Sequence, residues 1–231
     1  MLDMEDSRFA ASLGESLLCR ECRIAPPEFE RAVSYGLYED ELRSFIHLLK
    51  FERLPKVAGL LAGPLVEAIL QLEGVTAREV LVVAVPLFAA RERQRGYNQS
   101  VLLAAAALGR LKKVRPGWRL RAAHSILVRR RRTESQWVLA PRARRRNLEG
   151  AFAVPEALRA ELKGREVLLV DDLLTSGATA RECARVLKRG GAAKVWVATV
   201  ARAQKHAAML QPALEQQTAK WDLAGSMNPV R

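Results

Sequence analysis

Residues 167–179 read VLLVDDLLTSGAT. An apolar run leads into two adjacent carboxylates, Asp171 and Asp172, and then into a turn of small and hydroxyl residues: Thr175, Ser176, Gly177, Ala178 and Thr179. The run has the composition of a buried strand that ends at Val170 and leaves both acids at the carboxyl edge of a sheet. Carboxylates this close repel unless a cation or hydroxyl donors intervene, and a divalent metal or the two hydroxyls of a ribose are natural partners. Successive side chains point to different sides, so one acid can face a ligand while the other orients the loop. The turn then opens a helix. Exposed N–H groups there, with three hydroxyls, make an anion cradle, and Gly177 lets the backbone approach the ligand closely. Carboxylates for sugar hydroxyls beside amides for a phosphate describe a sugar 5-phosphate site. The spacing of a Walker A loop is absent. The plainer reading of the same residues is that the Thr/Ser turn is simply a helix N-cap and the aspartates a solvated turn.

The elements that must hold this turn follow from hydrophobic periodicity. Leu42, Phe45, Ile46 and Leu49 stand at helical spacing within 39–51, and 57–72 continues as a second helix. EVLVVAV, 79–85, is a short buried strand stopped by Pro86. An Ala/Leu-rich helix follows over 98–111, short strands over 126–128 and 151–154, a helix over 177–189 stopped by Gly190 and Gly191, and a strand over 195–200. Strands alternating with helices predict an α/β fold, a mainly parallel sheet flanked by helices on both faces. Ligands in such sheets bind at the carboxyl ends of the strands, where the 171–179 turn lies. Three regions result: an N-terminal segment 1–35 with little periodicity, an α/β domain 36–204, and a weakly patterned tail 205–231.

The 231 residues carry a net charge of +13, and 49% are hydrophobic. The charge predicts attraction to polyanions: nucleic acid, phosphorylated metabolites or an anionic membrane surface. No apolar run approaches the roughly 18 residues a membrane span needs, and the N-terminus has no basic stretch of the kind that opens a secretory signal, so a cytoplasmic protein is expected. Three cysteines, Cys19, Cys22 and Cys183, argue against a disulfide framework. Cys19 and Cys22 form half of the four-ligand set that structural zinc takes. Zinc would therefore need ligands from another chain or a partner. Cys183 reads as a core residue.

The thirteen-residue stretch resembles the phosphoribosyl pyrophosphate (PRPP) signature of type I phosphoribosyltransferases. Three further stretches narrow the resemblance to the ComF family, in the expected order over roughly 35–202. They are 38–51, then VPL with ARERQRGYNQS in 85–100, and LVRRRRTESQWVLAPRARRRNLEGAF in 127–152. ComF-family proteins are phosphoribosyltransferase-like, and some are linked to DNA uptake in natural competence. The family often carries cysteine pairs ahead of this domain, so Cys19 and Cys22 resemble the remnant of a zinc ribbon.

The resemblance implies binding of PRPP with Mg²⁺, and pentosyl transfer to an acceptor that no segment identifies. Asp171 and Asp172 would be the catalytic, ribose-holding acids, and residues 175–179 the 5-phosphate loop. Arg91, Arg93 and Arg95, in a loop over 86–96, would meet the pyrophosphate, with Gly96 and Asn98 shaping the exit into the next helix. Lys50, in the first block, would reach a phosphate or serve its own helix terminus. Residues 129–146 hold eight arginines and one acid, Glu134. Such a segment repels itself and is expected to be mobile until an anion arrives. The resemblance makes it a loop closing over PRPP, with Arg131, Thr133, Gln136, Arg145 and Asn147 in the matching positions. Its alternative use is a phosphate track for single-stranded DNA, with Trp137 stacking on a base and a competence helicase as partner.

Overall fold

A computed structural model of the chain describes residues 20–131 and 147–203. Its strands are β1 (Arg31–Leu37), β2 (Glu79–Ala84), β3 (Arg119–Ala122), β4 (Val128–Arg129), β5 (Phe152–Ala153), β6 (Glu166–Leu174) and β7 (Lys194–Arg202). Its α-helices are α1 (Arg20–Ile24), α2 (Asp40–Lys50), α3 (Val57–Leu70), α4 (Ala89–Arg95), α5 (Gln99–Val114), α6 (Arg159–Leu162) and α7 (Ala178–Arg189).

Five strands form one parallel sheet in the order β1-β7-β6-β2-β3, and β4 pairs with β5 as a separate antiparallel hairpin. Period-two alternation sends Val80, Val82 and Ala84 of β2 to one face and Leu81 and Val83 to the other. The first face packs on α2, α3 and α5 through Ile46, Leu49, Leu65, Ile69 and Leu103. The second packs on α7 through Cys183, Ala184 and Leu187, with Leu148, Phe152 and Leu162 completing that layer. Each such fully buried aliphatic side chain contributes about 1.5–3 kcal/mol, so both helical layers are held by the sheet they cover. Cys183 is a core residue, as expected.

Several elements depart from the periodicity reading. β6 does not end at Val170. It runs to Leu174 because β7 continues beside it, with Asp171 opposite Thr199 and Leu174 opposite Arg202. The aspartates therefore lie inside a strand. Residues 89–95 are helical where a loop is expected. The expected strand 126–128 is a 3₁₀ turn, His124–Ile126, followed by β4. The edge strands β1 and β3 escape the pattern, since RAVSYGL and RLRA each leave most residues partly exposed and give weak alternation. The boundary drawn at residue 35 falls inside β1, which is hydrogen-bonded to β7 from Arg31 to Leu37.

Chain direction through the sheet places the site. From β2 the chain crosses by α5 outward to β3, whereas from β6 it crosses by α7 the other way to β7. β2 and β6 are neighbours, so the connections leaving their carboxyl ends diverge. This is the switch point where open parallel sheets leave a crevice.

Candidate functional site

The ladder between β2 and β6 closes with Ala84 opposite Val170 and a last bond from Val85 N–H to the Val170 carbonyl at 2.9 Å. Pro86, which has no N–H to offer, then turns the chain away. Beyond this point β6 has a neighbour only on its β7 side, and it is here that it carries the two acids.

Asp172 is 2% exposed, and its Oδ2 lies 2.8 Å from the Lys50 ammonium at the end of α2. Burial works against the charge on Lys50, but Asp172, with Asp171 and Tyr38 adding to it, outweighs burial and raises the lysine above its ordinary pKa. Asp171 accepts through Oδ1 from the Ser100 hydroxyl at 2.9 Å and from the Asp172 N–H at 3.0 Å. Burial, and then the neighbouring Asp172 charge, push the Asp171 carboxyl up to about 7. Ser100 is fully buried and sits in the first turn of α5. Asn98 caps that helix by accepting from the Ser100 N–H at 2.9 Å, and its amide donates to the Val85 carbonyl at 3.0 Å. Gly96, at φ 87°, ends α4 in the left-handed region. The expected shaping of this exit by Gly96 and Asn98 is thus present.

β6 gives way to the turn at Thr175. Gly177 precedes α7 at φ 71°, a conformation in which a side chain is strained. Asp171, Thr175, Gly177, Ala178 and Thr179 line one crevice, so the structure brings an acid of the pair together with the turn. Within the turn the Ser176 hydroxyl oxygen is buried and has no hydrogen-bond partner among the described residues. An unsatisfied buried polar atom costs about 1–3 kcal/mol. Here it lies beside the N-terminus of a twelve-residue helix, whose first N–H groups have no partner within the helix. The donors present fit an anion such as a phosphate.

The arginines divide. Arg91 and Arg95 stand four apart on α4 and share a face, whereas Arg93 falls on the opposite one. Arg95 is 9% exposed and donates to Gln99 Oε1. Burial, then the Arg91 charge, lower its pKa, and Asp172 attracts it. Arg129 of β4 stands over the Phe152 ring, 5.3 Å from its centroid, and senses both Asp171 and Arg91. Arg131 donates to the carbonyls of Asn147 and Glu149, each at 2.9 Å, and so ties together the two chain ends that flank 132–146. Thr133, Gln136, Trp137, Arg145 and Cys19 lie outside the described residues. Lys50 and Ser100 both lie in the family blocks quoted above, but their contacts with Asp172 and Asp171 go beyond the roles read there.

The phosphoribosyl transferase domain family matches residues 99–222, more than half of the chain. The DNA utilization protein YhgH of Salmonella typhimurium is 36% identical over 187 residues, 79% of this chain and 76% of its own length. Competence protein F of Haemophilus influenzae is 30% identical over 187 residues, 80% of this chain and 78% of its own. The chain belongs to the ComF family. As a ComF-family protein it has the type I phosphoribosyltransferase-like α/β fold, with the acidic strand end and the small-residue turn at its switch point.

Metal chemistry is constrained by the donors of this ComF-family chain. Among the described residues no group of three His, Cys, Asp or Glu side chains gathers. The acidic pair offers two carboxylates, one already on Lys50. That set fits Mg²⁺ arriving with most of its coordination supplied by phosphate and water. Of the expected zinc pair, Cys22 has its sulfur accepting from Arg181 Nη2 at 3.1 Å, and Cys19 lies outside the described residues. No helix among the described residues is long and apolar enough to cross a membrane.

Proposed function

We propose that this protein binds PRPP with Mg²⁺ at Asp171, Asp172 and the 175–179 turn, and transfers the phosphoribosyl group to an acceptor. The observation that carries the reading is one crevice lined by Asp171 together with the turn that opens α7. The carboxylates suit ribose hydroxyls, as the Ser100 hydroxyl on Asp171 illustrates. The turn, with the unpartnered Ser176 oxygen, suits a 5-phosphate. Arg95 and Arg129 supply positive charge near the acids, with the Arg91 charge close to both arginines, where the pyrophosphate would leave. The reaction is displacement at ribose C1: the bond to pyrophosphate breaks and a bond to a nitrogen nucleophile or water forms. Positive charge grows on the ribose beside the carboxylates, and negative charge grows on the leaving group beside the arginines. Mg²⁺ bound with the pyrophosphate supplies further neutralisation of the leaving group.

Calorimetric titration with PRPP, with and without Mg²⁺, tests this in wild type and Asp171→Asn. Metal-dependent binding lost in the variant is the expected result. Absence of binding in wild type removes the proposal.

A second use of the same protein is supported by the names of its relatives, DNA utilization protein and Competence protein F. The arginine-rich segment 129–146 would then follow the phosphates of single-stranded DNA. Neutralising Arg129, Arg130, Arg131 and Arg132 would flatten the dependence of DNA binding on salt. An unchanged slope would remove DNA from that segment.

A further inference from the structure

A second cavity opens at the other end of the sheet. It lies between the turn that follows α3 and the turn that joins α5 to β3, beside the amino ends of β2 and β3. The length of β2, at about 3.3 Å per residue, sets it roughly 20 Å from the crevice at Asp171. Its volume is about 500 Å³, within the range of small-molecule sites. The sugar chemistry laid out above makes no use of it.

The two walls of this cavity are cross-linked. Arg115 Nε donates to Glu73 Oε2 at 2.8 Å, Arg78 Nε donates to the Gly117 carbonyl at 3.1 Å, and the Arg119 N–H donates to the Arg78 carbonyl at 2.8 Å. The turns are thereby held at a fixed separation. Trp118 is half-buried between them. It packs against the core layer of α2, α3 and α5, and it also lines the cavity.

What these residues leave over is mostly donors. Arg78 has no carboxylate partner among the described residues, and its Nε bond leaves both terminal nitrogens to spare. Arg115 bonds through Nε and through Nη1, the latter to the Val114 carbonyl at 2.9 Å, and keeps Nη2. The Trp118 indole N–H has no acceptor among the described residues. The Thr76 hydroxyl belongs to the same lining, and its oxygen is buried without a partner among those residues. Glu73 is the carboxylate of the lining, and Arg115 already occupies it. Lys112 and Lys113, in the last turn of α5, add positive charge nearby. Spare guanidinium N–H groups with so little opposing charge are complementary to an anion rich in acceptor oxygens. The tryptophan beside them offers a ring face to a planar group. A phosphate joined to a flat heterocycle by a short linker meets both demands.

We propose that this cavity binds a nucleoside monophosphate, with the base on Trp118 and the phosphate on Arg78 and Arg115. Guanidinium forks match phosphate oxygens, and stacking accepts any base. Affinity therefore follows the presence of ring and phosphate together more than the identity of the base. The site is separate from the sugar crevice, and its ligand does not depend on the PRPP reading.

Calorimetric titration of the full chain with AMP, CMP, GMP and UMP in turn tests this, with adenosine and inorganic phosphate as the two halves of the ligand. AMP is expected to bind about tenfold or more tighter than either half. Arg78→Gln keeps a donor for the Gly117 carbonyl, and Trp118→Leu keeps an apolar contact with the core. Each is expected to weaken AMP by about tenfold or more. Thermal melting reports whether each variant is folded. Where Trp118→Leu fails to fold, Arg78→Gln, at an exposed position, decides alone. An AMP affinity in folded Arg78→Gln equal to that of wild type puts the nucleotide elsewhere and overturns the proposal. Absence of binding by all four nucleotides at millimolar concentration overturns it as well. Inorganic phosphate binding as tightly as AMP leaves Trp118 without a role and overturns the nucleotide assignment.

Discussion

The Tyr97 hydroxyl donates to the carbonyl oxygen of Leu49 at 2.6 Å, one residue before the lysine that meets Asp172. A residue of the loop after β2 thereby fixes the end of α2, and α2 in turn engages β6. Three segments distant in sequence are held at one crevice by side chains whose individual bonds are modest.

Removing that hydroxyl with Tyr97→Phe is expected to cost about 0.5–1.5 kcal/mol of stability, the usual worth of such a bond. Chemical denaturation measures it. Leu49 is fully buried, so losing the donor leaves its carbonyl short of a partner and the upper part of the range is expected. PRPP affinity should fall less than in Asp171→Asn.

Gly177→Ala separates fold from binding. An added Cβ would meet only the Leu174 Cδ1 at 3.9 Å, so there is room for it. The strain comes from φ 71°, which costs a side-chain-bearing residue roughly 1–2 kcal/mol. The variant should fold, with a melting temperature lowered by a few degrees. The turn at this position should relax away from the left-handed conformation. A loss of PRPP affinity well beyond the loss of stability is the expected readout.

Gly190→Ala tests the opposite case. Gly190 ends α7 with an ordinary negative φ, yet a Cβ there would come within 2.9 Å of Val154 Cγ2 and 3.0 Å of Leu162 Cδ2. Overpacking of this kind costs typically 1–3 kcal/mol. Denaturant midpoints should show it, and PRPP affinity at the other end of α7 should stay near wild type.

His124 gives the fold a pH dependence. Its Nδ1 accepts from the Ala84 N–H at 3.1 Å, where β3 no longer accompanies β2. Burial lowers its pKa below the ordinary 6.5. Below pH 6.5 the unfolded chain therefore takes up a proton before the folded one does. The stabilisation is complete above pH 6.5 and is lost as pH falls from there through the folded value. His124→Gln keeps an acceptor and removes the titration. Stability measured from pH 5 to 8 should lose that part of its slope in the variant. An unchanged slope would place the dependence elsewhere, with Asp171 as the first group to consider.

Local order explains what could be read along the chain. The apolar run into Asp171 and Asp172, and the small residues from Thr175 to Thr179, are contiguous, so their chemistry is visible in thirteen letters. The helices α2, α3, α5 and α7 bury one stripe each, and stripes leave a period. β1 and β3 sit at the two edges of the sheet and bury little. With little burial there is little selection for alternation, and neither strand shows it. Residues 89–95 are rich in arginine and have no apolar stripe, so the helix that sets Arg91 beside Arg95 and turns Arg93 away is invisible to periodicity.

What the sequence by itself determined is the type of fold and the chemical character of the acidic strand end, because both depend on neighbours in the chain. Tertiary structure alone decided that β6 carries its acids past the end of β2, that Lys50 takes Asp172, that Ser100 takes Asp171, and that Arg131 closes the chain ends at Asn147 and Glu149. Each of these is a contact between residues far apart in sequence. A side chain bears no local mark of a partner that reaches it only when sheet and helices pack, and here the strand order, with β6 set between β7 and β2, is what brings the partners together.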